Sequence, residues 1–201
     1  MEASIWTGSL AGLLEKTAGT EPVPAGVAIS AVTASLALAL LAKVLAIAAR
    51  KRKFAAERVQ LEELLHAARA ESSRLTSLAD EDIEAFHKYL ESRHQATRKA
   101  IEIPMEAARA GVRGLGLCAD AAFIIRGLTA GDVGSAAALL AGAVRAMLVT
   151  VDFNLREMAA GEDFSAAMKT ERNQLGAEVA RHADAIVSAL FGSTHAGGVP
   201  A

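Results

Sequence analysis

Apolar positions recur along most of the chain at spacings of three and four, with no stretch of strict alternation. That is the helical period, and no strand pattern competes with it. The first run, residues 9–17 (SLAGLLEKT), is short and ends at Gly19 and Thr20. Pro22 and Pro24 then predict an extended turn, because each proline restricts its own φ and the residue before it. Residues 26–49 (GVAISAVTASLALALLAKVLAIAA) are apolar on every side. A helix without a polar face belongs to the centre of a bundle or to a membrane. The basic flank Arg50-Lys51-Arg52-Lys53 suits a membrane span. Against that, the segment is Ala-rich, carries Ser30, Thr33, Ser35 and Lys43, and has no second segment of its quality. It is therefore expected to be bundle core.

Residues 54–92 form one long amphipathic pattern. Val59, Leu61, Leu64, Leu65, Leu75, Leu78, Ile83 and Phe86 lie on its apolar side, with an interruption at Ser72-Ser73. Residues 97–126 form another, in which Pro104 predicts a kink or a restart. Gly127 and the turn Thr129-Ala130-Gly131 close it. Asp132 is then expected as the N-cap of a helix over 133–160. Gly161 ends that helix, the last amphipathic helix covers 163–191, and residues 192–201 are expected to be a loose tail. About six helices on short connections predict an all-α, up-and-down bundle forming a single domain.

Composition sharpens this picture. Of 201 residues 46 are alanine, 52% are hydrophobic and only 4% aromatic, so the helices are expected to approach closely on small side chains. A high apolar fraction with a net charge of -2 excludes a disordered chain and gives no electrostatic footprint for nucleic acid. Cys118 is the sole cysteine, which excludes a disulfide scaffold and points to a reducing, cytoplasmic compartment. Residues 1–4 show no basic region leading into an apolar run, so no signal peptide is expected.

The chain carries no Gly-rich phosphate loop, zinc spacing or nucleophile elbow, and no metal site is expected. Cys118 is expected to be a small buried hydrophobe. His87 and His94 are seven residues apart and could share a helix face, although surface placement is the simpler reading. Arg145, Asp152 and Arg156 fall in one mostly apolar helix, where they could pair internally or line a polar pocket. The acidic run Asp80-Glu81-Asp82 carries more chemistry. Three consecutive acids on a helix point 100° apart, so one should turn toward the stripe that Phe86 occupies. An acid there would be desolvated and its pKa raised, which suits a general acid or base. The same spacing also fits a solvated helix face.

Taken in order, these features resemble one known family. A proline turn precedes a small-residue apolar helix, and Lys51-Arg52-Lys53-Phe54 follows it. Then come Ala79-Asp80-Glu81-Asp82-Ile83-Glu84-Ala85-Phe86, Ile101-Glu102-Ile103-Pro104-Met105-Glu106, Gly131-Asp132-Val133-Gly134 and the segment around Asn154. The series is similar to the cyclodeaminase/cyclohydrolase family of formimino-tetrahydrofolate cyclodeaminase and a bacterial methenyl-tetrahydrofolate cyclohydrolase. The resemblance spans residues 10–156. It implies a helical bundle, a homodimer with its ligand near the subunit contact, and chemistry at an iminium or amidine carbon of a folate. It implies no tightly bound cofactor, the tetrahydrofolate derivative being substrate. By position it makes Asp82 and Asp132 the catalytic carboxylates, with Asp80 a weaker candidate. It puts Pro24, Gly26, Val27, Phe86, His87, Glu102 and Asn154 around the substrate.

Three departures fall where a folate would be gripped. The family's Pro-Gly-Gly-Gly-Ser turn is here Pro24-Ala25-Gly26-Val27-Ala28, whose side chains are expected to block the approach of a ligand to the backbone amides. Gly131 stands where serine is usual before the aspartate. The connection between the acidic helix and the Ile-Glu-x-Pro helix is short. The departures imply a retained fold with a changed or lost ligand site. Three functions follow: a folate enzyme, with the basic cluster of residues 50–53 meeting the folate carboxylates; a relative closing a ring through an iminium from a non-folate amine and aldehyde, in the Pictet–Spengler manner of secondary metabolism; or a non-catalytic helical interaction or membrane-associated protein.

Overall fold

The computed structural model describes residues 4–91, 98–157 and 161–192. Six helices follow one another: α1 (Leu10–Ala18), α2 (Gly26–Ala49), α3 (Arg58–Glu91), α4 (Lys99–Ile124), α5 (Leu128–Glu157) and α6 (Glu162–Phe191). The five long ones run up and down, so the all-α bundle expected from the period is the fold. Helices α3, α2 and α5 lie side by side with α2 in the middle, and α4 and α6 cover one face of that layer. His94 and the expected tail fall outside the described residues, apart from Gly192.

Small residues set the spacing. Ala28, Ala31, Ala34 and Ala37 of α2 are fully buried beside Leu38, Leu41 and Leu45. In α4, a side chain on Gly114 would stand 3.0 Å from Leu38 and 3.4 Å from Leu140, and one on Gly111 would collide with Val144. Only a bare backbone lets α4 sit in the groove between α2 and α5. Cys118 lies in the same core, where burial pushes its thiol up to about 12, so it is an inert packing group.

Several expectations need correction. The apolar segment α2 is not enclosed on all sides, because Leu36 is 58% and Ile47 39% exposed on its outward face. Nor does it stand alone in hydropathy: α5 is also long and apolar enough to cross a membrane, and about half of each apolar stretch is buried inside the bundle. Asp132 and Asp152 sit near the ends of that stretch in α5 and hide it in the sequence. Ser72-Ser73 does not interrupt α3. Instead Ser72 and Ser35 of α2 donate to each other's backbone carbonyls at 3.4 and 3.5 Å. Asp132 is not an N-cap, since α5 begins at Leu128, straight after Gly127 at a φ of 78°. Starting there lets Val133 be fully buried. Asp152 pairs with Arg172 of α6 at 2.7 Å, not with a neighbour on its own helix.

Pro104 produces no break in α4. A proline inside a helix removes the amide that would bond the carbonyl four residues back, here that of Ala100. Asn154 of α5 supplies the missing donor: its Nδ2 reaches the Ala100 oxygen at 2.7 Å. Asn154→Ala should leave that carbonyl without its donor and cost about 1–3 kcal/mol in urea unfolding. Adding Pro104→Ala should recover much of the loss, because the new amide reaches the same oxygen. Equal stability of the single variant and the wild type would sink this account.

Candidate functional site

The acidic run of α3 divides its three carboxylates among three directions. Asp82 takes the core-facing one, along the line of Leu75 and Ala79, where α3 meets the beginning of α2. Its carboxylate accepts from the backbone amide of Ala28 in the first turn of α2. That turn has no cap of its own, since Ala25 precedes it without a side-chain hydrogen bond. The helix therefore leaves unsatisfied N–H groups there, and Asp82 answers one of them. Desolvation outweighs this hydrogen bond and raises the Asp82 pKa from 3.8 to about 6. The desolvated acid expected from the spacing is this residue. Four positions on, Phe86 stacks obliquely on Tyr89, with ring centroids 5.8 Å apart.

Asp80 has another task. It accepts from Ser4 Oγ at 2.7 Å and from the Ile5 amide at 3.0 Å, while Trp6 Nε1 donates to the Thr76 carbonyl at 3.0 Å. These bonds clasp the N-terminal arm onto the outer side of α3. Asp80 thus anchors the arm. Beneath the arm and α1 lies a cavity of about 650 Å³. Pro24 and His87 line it together with Ile5, Leu13, Ile83 and Leu90. Asp82 is not among its lining residues.

The turn into α2 behaves differently from its reading in the sequence. Val27 is 3% exposed and Ala28 fully buried, so their side chains enter the core instead of covering the amides. Val27 is therefore no side-chain contact for a substrate. Ala25 and Gly26 are exposed, and a side chain on Gly26 would stand 3.6 Å from Thr150 Oγ1 of α5. The backbone is thus open at Ala25 and Gly26, whereas Val27 and Ala28 are buried.

The remaining candidates separate. Glu102 is exposed and lines a second cavity of about 490 Å³ between α3, α4 and α6, among Glu84, Lys88, Lys99 and Phe164. Asn154 donates to the Ala100 carbonyl of α4. Asp132 lies eighteen residues before Thr150 in α5, about 27 Å away along the helix rise. It therefore stands at the opposite end of the bundle from Asp82. The basic turn after α2 is at that far end too, with Lys53 over the Phe54 ring at 4.8 Å. Within one chain, neither Asp132 nor this cluster reaches a ligand held at Asp82. The sequence reading missed Thr150 beside Gly26 and the arm residues Ser4, Ile5 and Trp6. Trp6, the chain's only tryptophan, was the available signal for the arm.

The sequence profile of the family described as formiminotransferase-cyclodeaminase matches residues 9–174. Among solved structures, the crystal structure of formiminotetrahydrofolate cyclodeaminase from Thermotoga maritima superimposes with a TM-score of 0.81 at 23% identity, over 94% of this chain and 98% of that one. At this identity the likeness speaks for the fold. No curated protein matches the chain.

Two outcomes follow from the acids. Folding raises the Asp82 carboxyl from 3.8 to about 6, so the native state holds that proton more tightly than the unfolded chain. The buried charge opposes folding fully above pH 6 and ceases to matter below about pH 4. Asp82→Asn should therefore add about 1–3 kcal/mol of stability at pH 7. The gain should shrink to nothing near pH 4 in urea titrations. A gain independent of pH would contradict the desolvated placement. Asp80→Ala should free the arm and cost about 1–2 kcal/mol, with Trp6 fluorescence shifting to longer wavelength. Unchanged emission would mean that the clasp does not hold the arm.

Proposed function

The chain belongs to the formiminotransferase-cyclodeaminase family, and on that premise we propose that it is an enzyme acting at an iminium or amidine carbon of a tetrahydrofolate derivative, with Asp82 moving the proton. The observation that carries this reading is the Asp82 carboxyl, partly buried at the head of α2 with a pKa of about 6. Such a group is mostly ionised at neutral pH yet accepts and returns a proton readily, as a general base that becomes a general acid requires. Its negative charge also favours a cationic carbon centre.

In the hydrolytic direction, water forms a C–O bond to the methenyl carbon and its proton passes to the Asp82 carboxylate. The same proton then goes to one of the two ring nitrogens as its bond to that carbon breaks, and the hydroxyl proton is released to solvent, leaving a formyl group. In the cyclodeaminating direction, the second nitrogen forms a C–N bond to the carbon of the protonated formimino group and gives up its proton to Asp82. Asp82 returns the proton to the amino group, which departs as ammonia. Each route uses one carboxyl and returns it to its ionised form.

The turn removes one argument for the non-folate amine and aldehyde. That reading leaned on apolar side chains lining the ligand, whereas Val27 and Ala28 are inside the core. Ala25 and Gly26 leave exposed backbone at the head of α2, close to the Ala28 amide that Asp82 occupies.

With methenyl-tetrahydrofolate, loss of the substrate's near-ultraviolet absorbance should be catalysed by the wild type. Asp82→Asn should lower kcat by about 10²–10⁴. The rate should fall below about pH 6, because the base must be ionised. No turnover of methenyl- or formimino-tetrahydrofolate by the wild type would remove the folate reading.

A further inference from the structure

The cavity between α3, α4 and α6 is separate from the site at the head of α2. Asp82 is absent from its lining, because α3 turns Leu78, Glu81, Ala85 and Lys88 toward it instead. Its floor is apolar, made by Leu78, Ala85 and Ile103 with Phe164 and Met168 of α6. Its volume of about 490 Å³ lies within the ~300–1,000 Å³ of small-molecule sites. Its rim carries four cationic and four acidic side chains, so its formal charge is zero. Most of these charges are satisfied within the chain. Arg74 reaches Glu81 at 3.5 Å and Glu106 at 3.7 Å, and Arg109 meets Glu106 at 2.9 Å and Glu171 at 2.6 Å. Lys88 pairs with Glu84. Lys99 and Glu102 are left over, since neither has a hydrogen bond or ion pair among the described residues. Lys88, and Lys99 to a smaller degree, hold the Glu84 carboxyl below its ordinary range. Two ammonium groups thus share one carboxylate, and Arg98 adds its guanidinium over the Phe164 ring at 4.8 Å. Positive charge is in excess at this corner, while Glu102 stands three residues further along α4 on the same side of the helix, without a cation.

We propose that this cavity binds a free α-amino acid with an apolar side chain, its carboxylate held at Lys99, its ammonium at Glu102 and its side chain on Phe164 and Met168. A ligand of one sign gains at one of the two unpaired groups and is repelled at the other, whereas a zwitterion gains at both. The ammonium and carboxylate of an α-amino acid sit on one carbon, within reach of two side chains that leave the same helix one turn apart. The side chain of the ligand then lies on the half-buried Phe164 and Met168 and is removed from water with them. Methionine beside an aromatic ring adapts to the shape of such a group. The inference is independent of the proposed folate reaction, because no lining residue touches the Asp82 carboxylate.

Calorimetric titration of the full chain tests the assignment. L-phenylalanine should bind saturably, whereas glycine, which lacks the apolar part, should not. N-acetyl-L-phenylalanine lacks the ammonium and L-phenylalaninamide lacks the carboxylate, so each should bind at least about tenfold more weakly than L-phenylalanine. Glu102→Gln should weaken L-phenylalanine to the level of the N-acetyl compound without weakening that compound further. Lys99→Gln should do the same with respect to the amide. Both side chains are exposed and unpaired, so neither exchange disturbs the packing. Absence of saturable L-phenylalanine binding at millimolar concentration, or full binding in both variants, would overturn the site. Equal binding of the N-acetyl compound or of the amide would make a peptide end the occupant and would overturn the free amino acid.

Discussion

Helix α2 can occupy the middle of its layer only because small residues let three other helices reach it. Its buried alanines face α3, α4 and α5 at once, and the glycines of α4 complete the fit from below. A larger side chain at Gly111 or Gly114 would push α4 away from the seam and loosen both flanking helices. Much else follows from this spacing. It brings the head of α2 against α3 at Asp82, and it holds Thr150 of α5 beside Gly26. The candidate acid owes its altered chemistry to a helix start that crowding has placed there.

That origin explains why burial and catalysis meet at one residue. Asp82 continues the stripe of Leu75 and Ala79, so the geometry that buries two apolar side chains also desolvates a carboxyl. The amide of Ala28 offsets part of the penalty. The two acids that precede it on α3 point elsewhere. Asp80 turns outward and fastens the arm, and Glu81 meets Arg74 at 3.5 Å. Three adjacent acids thus take a structural, a surface and a reactive part through rotation about the helix alone.

Helices were legible because their period is local. The bounds of α2 coincide with the apolar run, and three adjacent carboxylates beside Phe86 named the place of a desolvated acid while leaving a solvated helix face equally open. What escaped depended on pairing between distant segments. Nothing near Asp80 announces Ser4, and nothing near Asn154 announces a carbonyl in α4. Asp132 carried the marks of an N-cap, but burial of Val133 drew the helix start back to Leu128. The turn before α2 misled for a related reason. Side chains that seem to cover a backbone in sequence lie on its far side once the first helical turn aims them into the core.

The bond from Asn154 to Ala100 also constrains the order in which this protein can change. Pro104 creates a need that only a donor on another helix can meet, so the proline is tolerable where the asparagine already exists. Loss of the proline first leaves an oxygen with two donors available, a harmless redundancy. Loss of the asparagine first leaves it with none. Descendants of this chain can therefore shed the pair in one direction far more readily than in the other, and position 154 should rarely drift while position 104 remains proline.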